Sequence, residues 1–297
     1  MQPNQLSNTA AFIAVKFYGL TREEPYRSLF DEEAILFYER LVKNMPAPLR
    51  YYHCGLKSET LSKFFIFWEE LLLPGDLMHI ILRKYYLTNW VKELGEQGYR
   101  QMLVLGAGFD HLGALNASKD MRCVELDMPK MISLKKDFII KHGYEHPNLL
   151  LKEAFFTRDT LLEILQAQST LNPNRKTMVV AEGFFDYFNQ TTSSEILTDA
   201  AAFFSDDVIL LSTLFSLQEL SGFRSSVYKN SIKLAGEKLK LHLDKSGYIK
   251  LLKQHRFSIE RSLSFDEMKQ EVLKPRGISL PVLPGFYLVR ANRLKME

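Results

Sequence analysis

The chain has little cysteine, two residues in 297. Cys54 and Cys123 cannot build a disulfide framework, which excludes the small stapled folds of secreted domains and points to a reducing compartment. No run approaches the roughly 18 apolar residues that a membrane span needs. The opening MQPNQLSNTAAFIAV has no charged segment ahead of its apolar stretch, so no secretory signal is read there and a soluble, cytoplasmic protein is expected. An excess of charge of one sign is also missing. With 38 basic and 35 acidic residues and a net charge of +3, the composition makes no case for nucleic acid as a partner. There is no internal repeat and no low-complexity tract. The hydrolase signatures G-x-S-x-G and H-E-x-x-H do not occur. His142 and His146 flank Glu145, but Gly143 and Pro147 put them in a turn, and no metal is expected.

What is present is a large apolar fraction, 46% of residues, enough for one elaborated domain or two small ones. Residues 1–100 read as helical. Ser7 or Asn8 can cap a first helix, Asp31 a second running through Arg40, and Ser58 opens a third that Pro74-Gly75 stops; a fourth spans Gly75 or Asp76 to Leu94. Aromatics crowd this region, among them Phe12, Phe17, Tyr18, Phe64, Phe65, Phe67 and Trp68. They either cover a sheet or line a substrate pocket.

Beyond residue 100, apolar strands at about 102–106, 121–126, 149–152, 177–182 and 207–213 alternate with amphipathic stretches at 129–142, 158–168 and 191–204. The pattern predicts an α/β fold with a doubly wound, mostly parallel sheet and right-handed crossovers. An N-terminal helical cover over 1–100 would precede a Rossmann-like domain over 101–297, with a lysine-rich helical insertion at about 217–255. Two last strands, Phe257 to Leu263 and Phe286 to Ala291, would finish the sheet as a hairpin-like edge.

The most informative stretch is MLVLGAGF, Met102 to Phe109, followed by Asp110. It reads as a buried strand that breaks on a glycine turn, with an acidic residue at the end of the next strand, as in α/β folds that bind a nucleoside cofactor. Gly106 and Gly108 let the backbone approach a ligand. The dinucleotide fingerprint needs a third glycine at 111, where His111 stands, so a ligand without phosphates fits better and S-adenosylmethionine is favoured over NAD. Glu125 and Asp127 alternate onto one face of the second strand, placing a carboxylate where a ribose diol could bind.

Gly106-Ala107-Gly108-Phe109-Asp110, Glu125-Leu126-Asp127-Met128-Pro129 and Ala181-Glu182-Gly183-Phe184-Phe185-Asp186-Tyr187-Phe188, in that order, resemble the leucine carboxyl methyltransferase family. These are S-adenosyl-L-methionine-dependent enzymes with a class I methyltransferase fold. The resemblance runs from about Thr9 to Tyr187. It implies a seven-stranded sheet whose last strand is antiparallel. It also implies a cofactor site in which Gly106, Ala107, Gly108 and Asp110 form the turn, Asp127 beside Glu125 meets the ribose and Glu153 faces the adenine. Glu182 would then lie near the amino-acid end, with Arg83 on the methionine carboxylate and Lys16 in support. Tyr187 and His111 are the candidates on the acceptor side, His111 as a base if the acceptor is a phenol or alcohol. The chain departs from the family after Asp110. His111 and Leu112 stand where a threonine and an arginine usually follow, and Leu115 falls near a position expected to be basic.

The implied reaction is methyl transfer to a carboxylate of a small molecule or a protein C-terminus. A small-molecule phenol or alcohol methyltransferase and a non-catalytic S-adenosylmethionine-binding protein are the alternatives.

Overall fold

A computed structural model describes residues 7–47, 58–167, 171–204, 207–234 and 236–294; Cys54 lies outside them. Seven strands form one sheet: β1 Gln101–Leu105, β2 Arg122–Asp127, β3 Leu149–Glu153, β4 Thr177–Ala181, β5 Val208–Phe215, β6 Phe257–Ser264 and β7 Phe286–Arg293, in the order β3-β2-β1-β4-β5-β7-β6. The first five are mutually parallel, and β7 runs antiparallel to both β5 and β6. The central strands β1, β4 and β5 are buried at every position, which explains their mainly apolar sequences.

Helices pack on both faces. Met102, Val104 and Cys123 point into one apolar layer, with α1 (Asn8–Thr21), α2 (Glu32–Asn44), α4 (Asp76–Glu96) and α6 (Pro129–His142). Leu103, Leu105 and Val124 point into the other, with α7 (Leu161–Gln166), α8 (Gln190–Phe203) and α10 (Lys245–Gln254). The strict alternation of facing residues is the period of a pleated strand read directly from the sequence. Of the remaining helices, α3 (Glu59–Leu72) lies in the N-terminal cover, α5 (Leu112–Asn116) follows the glycine turn, and α9 (Gly222–Leu234) precedes α10. Among the described residues no helix is long and apolar enough to cross a membrane.

Three local expectations change. Asp31 occupies the N-cap of α2 without bonding it through its side chain. The helix expected at 158–168 is shorter, since Thr160 and Glu163 form a reciprocal capping box that fixes its start. The final strands are antiparallel partners but no simple hairpin. Segment 265–285 holds α11 (Phe265–Met268), a π-helical turn and a 3₁₀ turn, and β7, the more buried strand, inserts between β5 and the half-exposed β6.

Glu125 and Lys135 form an ion pair inside the fold, 2.5 Å apart, with both side chains essentially inaccessible. Burial pushes the Glu125 carboxyl up, and Lys135 of α6 pulls it back. Lys135→Met should cost about 3–5 kcal/mol in urea unfolding by stranding the carboxylate, and adding Glu125→Leu should recover most of that loss. A single-variant loss below about 1 kcal/mol would show that the pair carries no such weight.

Candidate functional site

Strand order reverses between β1 and β4, and ligand crevices of open α/β sheets lie at that point, outside the carboxyl ends of the strands. A cavity of about 510 Å³ opens there, within the usual range for small-molecule sites. Its floor is the glycine turn. Gly106 and Ala107 both donate to the Leu126 carbonyl, and Gly108 donates to Asp127 Oδ2 at 2.6 Å, so the turn hangs from the end of β2. Gly106 has φ +65°, and a Cβ there would meet the Phe184 ring at 2.7 Å. That position therefore requires glycine, and the cradle it leaves stays open.

Asp127 lines the cavity, each carboxylate oxygen taking one backbone N–H, from Gly108 and Met128. Burial raises its pKa, against which the two donors act. Glu125 shares its face but lies one pleat deeper, paired with Lys135 and touching Gly113, and it does not line the cavity. Its expected cofactor role is corrected accordingly, since the packed α5 turn stands over it. Glu153 is corrected too. It is exposed at the end of β3, outside the lining, while Ala154, Phe155 and Phe156 take that part of the wall. His111 is also corrected. It is fully buried outside the cavity, between Tyr38 Oη and Thr88 Oγ1, each 3.3 Å from a ring nitrogen, and burial pushes its pKa down to about 4. A neutral histidine serving as a packing bridge cannot reach an acceptor in the cavity.

The remaining expected residues come together. Arg83 Nε stands 2.6 Å from Glu182 Oε1, and both side chains are buried at the cavity wall. The contact is not aligned as a hydrogen bond. Lys16 lines the cavity from α1, its ammonium 2.7 Å from Asp76 and 2.9 Å from Glu69. Burial alone would lower the Lys16 pKa, but the two carboxylates together hold it above the usual lysine value. Asp110 lines the turn and accepts from Leu112 N at 2.6 Å. Tyr187 lines the wall, its pKa pushed well up by burial and by Glu237.

Sequence reasoning passed over four residues at this site. Lys84, next to Arg83 and 4% exposed, contacts Asp110 and lies 2.7 Å from Glu182. Burial would depress its pKa, yet the two carboxylates hold it high, and Lys84 in turn outweighs the burial of Asp110 and holds that carboxyl low. A cation thus meets Asp110 from α4 instead of from the residues after the turn. The available signal was a lysine within the apolar stretch of a helix. Asp76 binds Lys16, and Tyr228 enters from α9 with its pKa pushed well up, chiefly by burial. Asp186 takes the Phe215 N–H at 3.0 Å, and burial pushes its pKa up to about 7. It stood inside the GFFDYF string, but a lone aspartate after a strand carries no role by itself.

The leucine carboxyl methyltransferase family model matches residues 69–201, which contain the glycine turn, Asp127 and Glu182. No curated protein matches the chain. Two solved structures share its fold. A candidate methyltransferase from Thermobifida fusca YX is 16% identical, with a TM-score of 0.57, covering 88% of this chain and 94% of its own. A DUF574 family protein from Streptomyces avermitilis MA-4680 is 14% identical, with a TM-score of 0.57, covering 79% and 91%. With the family model lying on the strand order, turn and acidic ends described above, the chain is similar to the leucine carboxyl methyltransferases over residues 69–201 and is an S-adenosyl-L-methionine-dependent methyltransferase.

Proposed function

We propose that the chain methylates a carboxylate, forming a methyl ester on a small molecule or a protein C-terminus. One observation carries the reading. All six acidic residues that line the cavity, Glu69, Asp76, Asp110, Asp127, Glu182 and Asp186, already accept from an ammonium or a backbone N–H. His79, also in the wall, is pushed by burial down to about 3. Tyr187 and Tyr228, pushed well up chiefly by burial, keep their protons at neutral pH and supply no base. Such a site offers hydrogen-bond donors and no strong base, which suits an acceptor that arrives ionised, as a carboxylate with a pKa near 4 does at about pH 7.

The residues present fit the methyl donor. Asp127 would hold the ribose hydroxyls with the lone pairs its two N–H donors leave free. The Arg83–Glu182 pair would split to receive the carboxylate and ammonium of the methionine end, opposite charges for opposite charges. Gly106 would let the backbone lie against the adenosyl part. S-adenosylmethionine supplies an electrophilic methyl on a sulfonium. The protein aligns the acceptor oxygen and excludes water, so positioning provides most of the rate. Sulfonium and carboxylate charges cancel as thioether and ester form, and a wall of Phe155, Phe156, Phe184 and Phe188 favours that loss of charge.

Asp186 supports a second reading. A carboxyl with a pKa of about 7 at the cavity wall could take the proton of a phenol or alcohol acceptor.

Incubation with methyl-labelled donor and an extract, followed by mild base, should release volatile methanol from the ester-bearing fraction. Label that resists base points to an ether and to the second reading. Calorimetry should find S-adenosylmethionine binding weakened by about 10- to 100-fold in Arg83→Ala and Asp127→Ala; unchanged affinity would remove both residues from the site. For a carboxylate acceptor, kcat/KM should stay flat across about pH 6–8.5. A rise through pH 7 that Asp186→Asn abolishes would favour the hydroxyl acceptor.

The same variant has a stability consequence. Native Asp186 keeps its proton up to about pH 7, whereas the unfolded carboxyl, at its ordinary value of 3.8, releases it far lower, so the native state loses stability as pH rises through that window. Asp186→Asn preserves an acceptor for Phe215 and should raise Tm by several degrees at about pH 8, with little effect at about pH 4. Equal shifts at both pH values would show that charge is not the cause.

A further inference from the structure

We propose that the acceptor is an amphiphile, a carboxylic acid on a long apolar body, whose acid end enters the cavity while its body lies along the outer face of α3. The inference rests on the carboxyl-methylation reading for the acid end only. Its own support is the surface of α3. Phe64 is 54% exposed, Phe67 62%, Trp68 44%, and Leu71 and Leu72 58% each. Leu61, Phe64, Phe65, Trp68 and Leu72 recur at spacings of one, three and four, and Phe67 and Leu71 widen the stripe. Phe64 and Phe67 both set edge-to-face against Trp68, with ring centres 6.0 and 5.9 Å away, so the surface is ordered as well as apolar. Apolar surface of this extent marks a binding face.

The stripe borders the cavity at Glu69. Glu69 of α3 lines the cavity and binds Lys16 of α1. One turn before Lys16 is Phe12, which lines the cavity and is 38% exposed. One turn from Glu69 stands Phe65 on one side and Leu72–Leu73 on the other. Phe65 and Leu72 thus flank, on α3 itself, the residue that closes the cavity against α1, and the stripe begins at the cavity rim. The charges beside it argue against an anionic lipid surface. The charged residues of α3 are Glu59, Glu69 and Glu70 with one lysine, Lys63, whereas helices that bind such surfaces are rich in lysine and arginine.

The chain has two tryptophans; Trp68 is exposed and Trp90 is buried in the core, so a ligand on α3 can be read in the emission of Trp68. Dodecanoate, below its micelle concentration, should shift that emission to the blue and bind at least about tenfold tighter than butanoate. Trp68→Phe should remove the shift, and Phe64→Ser/Leu72→Ser should flatten the gain with chain length. In the methylation assay the gain should appear in KM. If dodecanoate binds no tighter than butanoate, the proposal falls while carboxyl methylation stands. If dodecanol is methylated and dodecanoate is not, with the Trp68 shift present, the carboxyl reading falls and the apolar stripe stands. Light scattering that finds a dimer split by Phe64→Ser/Trp68→Ser would assign the face to a second copy. Zwitterionic vesicles that shift Trp68 as far as dodecanoate does would assign it to a bilayer, and either result overturns the proposal.

Discussion

The site depends on a buried knot of four charges. Lys84 contacts Asp110 and Glu182, and Arg83 meets Glu182 at 2.6 Å, all with side chains less than a tenth exposed. The four formal charges sum to zero, so burial is tolerable only while each keeps a partner of opposite charge. What the knot joins matters more than what it contributes to stability. Arg83 and Lys84 belong to α4 in the helical cover, Asp110 to the turn after β1, and Glu182 to the end of β4. The cover is thereby held at a fixed height over the switch point of the sheet. Displacing α4 would leave both carboxylates without their cations, a cost of several kcal/mol per uncompensated charge.

This arrangement also explains why the chain can lack the usual residues after Asp110. Positive charge reaches Asp110 from Lys84, and the turn itself is held by backbone donors to the Leu126 carbonyl and to Asp127. His111 is then released for a different task, bridging Tyr38 of α2 and Thr88 of α4 beneath the cover. In this chain the counter-charge of Asp110 comes from the helix above the turn.

The parts of the fold legible in the sequence were those governed by short-range periodicity. Strands β1 to β5 fall where apolar runs predicted them, and α6 spans Pro129–His142 as expected, because proline at its first turn and Gly143 after its end are local signals. Order along the sheet was less accessible. That β7 lies inside β6 depends on which of two amphipathic strands buries more surface, a comparison made only in the assembled sheet. The same division holds at the site. Gly106, Asp127, Arg83 and Glu182 stand at the wall since motif position is local information. Glu125, Glu153 and His111 do not, because depth below a turn, exposure at a sheet edge and packing between two helices are tertiary facts. Lys84 and Asp186 were missed for the same reason, their significance lying in partners 26 and 29 positions away.

The distribution of polarity around the cavity sets what the protein can accept. On the sheet side, carboxylates and cations are paired and fixed, which leaves the donor site polar and rigid. On the α1 side the lining includes Ala10, Phe12, Ile13 and Ala14, and α3 contributes Glu69 to the Lys16 seam with Asp76. That seam sums to one cation and two carboxylates, so it repels an acid group and is indifferent to an alkyl body. Under the proposed carboxylate reading, the seam turns the acid end of an acceptor away, while its uncharged part is left to the aromatic side. Orientation follows from electrostatics and desolvation acting together, without a dedicated clamp on the acceptor. On that reading, acceptors differing widely in their apolar part would share one approach to the methyl donor.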